Sequence, residues 1–298
     1  MNLKIWLSAF RLRTLPLALS CIGMGSFLAA SIGQFDGLIF ALCVSTTVFL
    51  QILSNLANDY GDTLNGADSD EREGPSRAVQ SGVISLKAMK LAIRVFVTLS
   101  LVSGLSLLYT AFGFDWQSLL FFFGLGILSI VAAITYTAGR KPYGYAGLGD
   151  LSVLLFFGLV GVMGSSYLFT KQIEWTFVLP AMSCGLFSVA VLNVNNIRDI
   201  DSDKKAGKYS IPVRIGREKA VIYHWMLITS GIAASVIFVA LNYHNYYQWL
   251  FILVVPLFIK NGLGVAKNKD AKTIDPYLKQ MAISTLLFVL LFGIGLLF

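Results

Sequence analysis

Between Asn55 and Arg77 the sequence reads NLANDYGDTLNGADSDEREGPSR, a stretch holding six of the chain's 16 acidic residues: Asp59, Asp62, Asp68, Asp70, Glu71 and Glu73. So dense a cluster, directly after an apolar run, demands a counter-charge, and a hard divalent cation carrying a phosphate supplies one. A second polar segment, residues 195–208, reads NNIRDIDSDKKAGK and repeats the pattern. Asn58-Asp59-x-x-Asp62 corresponds to Asn195-Asn196-x-x-Asp199, each followed by a further acid, Asp68 or Asp203. On a continuing helix Asn58 and Asp62 stand one turn apart, as do Asn195 and Asp199, and Asp199 and Asp203, so each set projects from one face. Two such faces meeting across a cavity would gather at least four carboxylates, which repel one another unless cations intervene or some protonate. Two Mg²⁺ ions bridging to a diphosphate resolve the conflict, because Mg²⁺ is commonly held by a few carboxylates plus substrate phosphate oxygens. The predicted metal ligands are Asn58, Asp59, Asp62, Asp68, Asn195, Asp199 and Asp203. Arg77, Arg140, Lys141 and Lys205 lie in polar connections where they would hold phosphate oxygens.

The elements that must position these residues are membrane helices. The chain has 298 residues, 56% hydrophobic and only 13% charged, with a mean hydropathy of +0.72; a soluble domain carries about 25% charged residues. Nine apolar segments, at 15–32, 37–57, 89–111, 119–136, 151–169, 177–194, 221–241, 249–265 and 278–298, predict nine spans. They are continuous runs, unlike the alternating segments of a barrel. The fold expected is all-α: a polytopic bundle, read as one domain over 1–298, with nine helices around a central cavity and two pseudo-repeated halves. The net charge of +7 is dispersed among hydrophobic spans, which excludes a nucleic-acid interface. Of the 23 lysines and arginines, all but Lys171 fall on one side, placing the N-terminus and the acidic connections in the cytoplasm and the C-terminus outside. Trp116, Trp175 and Trp249 open spans on the opposite side, as an interfacial belt would. Gly23, Gly25, Gly158, Gly161 and Gly164 are expected to let helices approach closely. Cys21, Cys43 and Cys184 are isolated in apolar runs and read as packing residues. The N-terminus reads as a retained first helix, its apolar run continuing past any plausible cleavage site.

The residues also carry a family resemblance. Asn58-Asp59-Tyr60-Gly61-Asp62 with Gly66-x-Asp68 and Gly74-Pro75-x-Arg77, Tyr136-Thr137 with Pro142-x-x-Tyr145-x-Gly147-Leu148-Gly149-Asp150, and Asn196-x-Arg198-Asp199-x-x-x-Asp203 together resemble the UbiA superfamily of membrane prenyltransferases. Arg11-Leu-Arg13-Thr14-Leu15-Pro16 and the Asn-Asp-Tyr motif are most similar to its branch that prenylates 1,4-dihydroxy-2-naphthoate in menaquinone synthesis, in a bacterial plasma membrane. The resemblance implies Mg²⁺ on both aspartate-rich motifs and transfer of a polyprenyl group from its diphosphate to an aromatic ring. It gives catalytic roles to Asp62, Asp199 and Asp203. The usual superfamily motif puts an aspartate where Gly66 stands here, and Asp68 is the available substitute. Tyr136, Tyr143 or Tyr145 would hold the allylic cation against an aromatic face, with Tyr136 the first choice. Arg11 or Arg13 could receive an acceptor carboxylate, with Arg13 the one singled out.

Other readings fit less well. Gly144-x-x-Gly147-x-Gly149 reverses a dinucleotide fingerprint and follows a membrane helix, and no phosphate-binding GxxxxGK[ST] occurs. His224 and His244 sit in unrelated segments. An ion-coupled transporter would carry acids near the membrane midplane, whereas these spans are almost free of them. A different aromatic acceptor, such as 4-hydroxybenzoate, is the alternative within the same chemistry.

Overall fold

The computed structural model of the protein describes residues 3–65 and 78–298. Asp68, Asp70, Glu71, Arg72, Glu73 and Arg77 therefore lie outside the described residues. The chain is 82% helical with no strands among the described residues. Nine helices there are long and apolar enough to cross a membrane: Lys4–Ser31, Gly37–Leu64, Leu86–Phe112, Trp116–Thr135, Gly149–Thr170, Trp175–Arg198, Arg217–Leu241, Tyr246–Lys267 and Ala271–Leu297, called spans one to nine below.

Their order follows from how much apolar surface each must bury. Span six is the central helix, with 72% of its apolar window buried, whereas span four, at 6%, keeps its side chains for lipid. Phe187 of span six stacks on Phe258 at 4.4 Å and meets Phe288 edge-on at 5.0 Å, tying spans six, eight and nine into one core. Spans five and six close tightly at Gly158, where an added Cβ would come within 2.9 Å of the Ala181 carbonyl. Gly25 and Gly161 are similarly crowded, Gly23 is less so, and Gly164 faces open space.

Three local features matter for the site. Span two runs to Leu64, seven residues beyond the apolar run, so Asn58, Asp59 and Asp62 are helical. Span six ends at Arg198 and a short helix, Ile200–Lys205, follows at once. Asp199 is the joint between them, yet the Asp203 amide still donates to the Asp199 carbonyl at 2.8 Å, keeping the expected one-turn spacing. In span one the helix breaks at Arg11, which adopts a left-handed conformation at φ 50°. Trp116 and Trp175 are exposed as expected of a belt, while Trp249 packs inward against the main core.

Candidate active site

The first motif is built by close approach. Gly61 lies so near the connection after span four that a Cβ there would sit 2.6 Å from the Thr137 carbonyl carbon. Only glycine permits that contact. The Thr137 hydroxyl then donates to the Ala57 carbonyl and Asn58 Oδ1, 3.2 Å from each, and Asn65 Nδ2 donates to the Thr137 carbonyl at 2.8 Å. The same connection supplies Tyr145, whose hydroxyl donates to Asp62 Oδ1 at 2.9 Å. Its far side is held to the second motif: the Tyr209 amide donates to the Tyr145 carbonyl at 3.0 Å and Arg214 Nη2 to the Ala146 carbonyl at 2.8 Å. Gly147, at φ 79°, makes that approach possible, since a Cβ would lie 2.7 Å from the Tyr209 carbonyl oxygen. One strap thus joins the two acidic segments.

In the second motif the carboxylates are gripped by cations that the sequence reading did not assign to the site. Arg198 is buried and reaches both oxygens of Asp199, Nε to Oδ1 at 2.7 Å and Nη2 to Oδ2 at 2.6 Å. Nη2 also donates to Asn195 Oδ1 at 2.8 Å, and Nη1 donates to Asp275 Oδ1 in span nine. Lys208, also buried, lies 3.2 Å from Oδ1 and 3.1 Å from Oδ2 of Asp203. Burial works against the Lys208 charge, but Asp203, Asp62, Tyr136 and Asp199 outweigh it and hold its pKa above the usual lysine value. Burial likewise pushes the Asp203 carboxyl up to about 6, opposed by Lys208 and reinforced by Asp199 and Asp62. The phenol of Tyr136 is raised, again by burial first. Asp203, Asp62, Tyr136 and Asp199 are thus the groups that the Lys208 charge answers to, and Asp203 is in direct contact with it.

They open onto a cavity of about 460 Å³. Asn58, Asp62, Asn195, Asn196, Asp199, Asp203, Lys208 and Tyr136 line its polar end, and the wall continues between apolar helices past Gly104, Phe157 and Val160 to Phe122 and Leu168. Several expected residues lie elsewhere. Asp59 is buried but outside the cavity wall, and Arg140, Lys141 and Lys205 are exposed, also outside it. Arg13 turns away to Asp275, with Nη1 to Oδ2 at 3.2 Å, while Arg11 lines the cavity in its place. The left-handed turn at Arg11 explains the exchange. Asn55 Nδ2 donates to the Phe10 carbonyl at 2.9 Å and to Thr14 Oγ1 at 3.0 Å, and Thr14 Oγ1 donates to the Arg11 carbonyl at 2.9 Å, fixing the bend. Tyr145 lies outside the wall, whereas Tyr143 lines it, its hydroxyl donating to the Ala132 carbonyl at 2.9 Å and its ring edge-on to Tyr136, centroids 5.3 Å apart.

The donor set suits a hard cation. All candidate ligands at the polar end are oxygens, and Asn196 Oδ1 is buried there without a hydrogen-bond partner. Among the described residues no three acids, histidines or cysteines converge closely enough to hold an ion alone. The set therefore fits Mg²⁺ that completes its coordination with phosphate and water oxygens, and a fully protein-built cage does not form.

The UbiA prenyltransferase family profile matches residues 18–296. The chain is 46% identical to a 1,4-dihydroxy-2-naphthoate octaprenyltransferase of Haemophilus influenzae, over 99% of this chain and 96% of that one. It is 45% identical to the enzyme of the same name from Escherichia coli, over 98% and 95%. Its fold matches a UbiA homolog from Archaeoglobus fulgidus bound to GPP and Mg²⁺, with a TM-score of 0.62 and 16% identity over 98% of this chain and 99% of that one.

Proposed function

The chain belongs to the UbiA prenyltransferase family, and from that premise we propose that it transfers a polyprenyl group from polyprenyl diphosphate to 1,4-dihydroxy-2-naphthoate, releasing carbon dioxide and diphosphate. The observation that carries the reading is the two-natured cavity: an oxygen-rich end around Asp62, Asp199, Asp203 and Lys208, continuous with an apolar slot. A prenyl diphosphate has that same division.

In the reaction the allylic C–O bond breaks with its electron pair leaving on the diphosphate. The electron-rich ring carbon bearing the carboxylate forms the new C–C bond, and loss of carbon dioxide returns the electron pair to the ring. No covalent enzyme nucleophile is required. Mg²⁺, when bound, supplies electrostatic stabilisation to the departing diphosphate. Asn58, Asp62, Asn195, Asp199 and Asp203 would hold it. Lys208 is placed to add a fixed positive charge where negative charge develops, and being buried it loses little of that effect to solvent. Tyr136, which lines the polar end, would offer its ring to the allylic cation. Arg11 takes the acceptor carboxylate, the role first expected of Arg13. Under the positive-inside rule the site opens to the cytoplasm and the C-terminus lies outside, which for a bacterial protein means the plasma membrane.

The test offers purified protein several aromatic acceptors with one polyprenyl diphosphate and identifies the products by mass. Prenylated naphthoate, formed only with Mg²⁺, is expected. Prenylation of 4-hydroxybenzoate alone would overturn the acceptor assignment. Undiminished turnover in excess chelator, or in the double variant Asp62→Ala, Asp199→Ala, would overturn the mechanism.

A further inference from the structure

The cation that grips Asp199 is itself gripped from the opposite end of the chain. Arg198 has its two-bond face on Asp199 and its remaining Nη1 on Asp275 Oδ1, in span nine. The other oxygen of Asp275 accepts from Arg13 at 3.2 Å, just before the membrane part of span one. Arg198 is almost wholly buried, its side chain 1% exposed, and Asp275 is 28% exposed at the rim. A buried guanidinium cannot float between partners, since each hydrogen bond fixes the plane that makes the others possible. Asp275 sets that plane from behind. It lies outside the cavity wall, so its influence on the site passes through Arg198.

We infer that Asp275 is a positioning residue for the second aspartate-rich motif, orienting Arg198 so that Asp199 presents its carboxylate to the Mg²⁺ diphosphate. Neutralising Asp275 frees Arg198 to swing, and Asp199 follows it. The same carboxylate, through Arg13, ties this motif to the bend that directs Arg11 into the cavity. Donor and acceptor sides therefore share one anchor. The inference rests on the Mg²⁺ reading of the site, and its test separates the two.

The readout is the Mg²⁺-dependent rise in Tm with farnesyl diphosphate and no acceptor, a binding measurement that needs no turnover. For Asp275→Asn the Mg²⁺ concentration giving half the rise is expected to increase by about 10-fold or more, as for partners standing behind metal ligands, with the ligand-free Tm little changed. Asp275→Glu, which retains the charge, should lie between, about 3-fold above the unaltered protein. Arg13→Gln should shift the titration by less than about 3-fold. The double variant Asp275→Asn, Arg198→Gln should titrate no worse than Arg198→Gln alone, because the two act in series. An Asp275→Asn protein titrating like the unaltered one overturns the inference, and so does full additivity in the double variant. An effect of Arg13→Gln equal to that of Asp275→Asn overturns it as well, since Asp275 would then only brace the first span to the last. If Asp275→Asn does not accumulate, an unshifted Asp275→Glu titration is the overturning result. A protein whose Tm ignores Mg²⁺ before any substitution would instead bring down the reading beneath.

Discussion

At the scale of single residues the site is decided by which cations are buried. Lys208 and Lys205 are three positions apart, yet Lys208 faces Asp203 inside the cavity while Lys205 is exposed outside it. A desolvated ammonium interacts far more strongly with a developing anion than one screened by water does. Lys208→Met is therefore expected to lower kcat by about 10²-fold or more, as for loss of a charge-stabilising group, and Lys205→Ala by less than about 3-fold. Steady-state kinetics with a saturating acceptor compare them directly. Tyr145→Phe removes one hydrogen bond to Asp62 and should cost about 10-fold or more in kcat/KM, in line with about 1.5–3 kcal/mol for a bond to a charged group. The matched acids Asp62, Asp199 and Asp203 were legible in the sequence because their helical spacing is a local property. Lys208 and Arg198 were not, since as letters they are indistinguishable from the lysines and arginines that set membrane orientation. What singles them out is burial, which depends on how spans six and nine and the strap after span four pack. The choice between Arg11 and Arg13 was out of reach for a similar reason: helical periodicity cannot register one residue turning left-handed.

At the scale of elements, the connection at 136–148 brings the two motifs together. Its fit against span two leaves no space at Gly61, and its fit against the segment after Lys208 leaves none at Gly147. Gly61→Ala should destabilise the protein by about 1–3 kcal/mol through overpacking against backbone that cannot rotate aside. Gly147→Ala adds the strain of a positive φ to a similar clash. Gly124→Ala is the contrast, with nothing within 4 Å of the new Cβ, and should stay within about 0.5 kcal/mol. Melting temperatures in one detergent, with activity on the same samples, distinguish a global loss from a local one. The nine spans themselves were readable, because a membrane leaves the backbone few alternatives and hydropathy reports the outcome. Hydropathy ends where the polar motif begins, so the extension to Leu64 was legible only through the one-turn spacing of Asn58 and Asp62 on a continuing helix. That extension is sustained by tertiary bonds from Thr137 and Asn65, which a local reading does not contain.

For the whole molecule, the separation of charge along the cavity makes topology and chain-length selectivity two sides of one arrangement. With all but Lys171 of the basic residues on the side of the acidic motifs, a reporter active only outside the cytoplasm should work when fused after Phe298 and fail when fused after Lys205. The reverse pattern would place the site on the wrong face for a cytoplasmic substrate. Away from the polar end, the slot runs past Gly104, which stands well along span three and has only Thr46 Cγ2 near it, 3.9 Å from an added Cβ. A leucine there fills the slot without touching any of the charged groups. The first isoprene units, nearest the diphosphate, would still find Phe157 and Val160, whereas a longer chain meets the new side chain. Gly104→Leu is thus expected to raise KM for octaprenyl diphosphate by about 10-fold or more while changing that for geranyl diphosphate by less than about 3-fold, since one misplaced hydrophobic contact is worth 1–3 kcal/mol. Equal effects on both donors would mean that the tail leaves the polar end by another route, and the apolar slot would lose its place in the reaction.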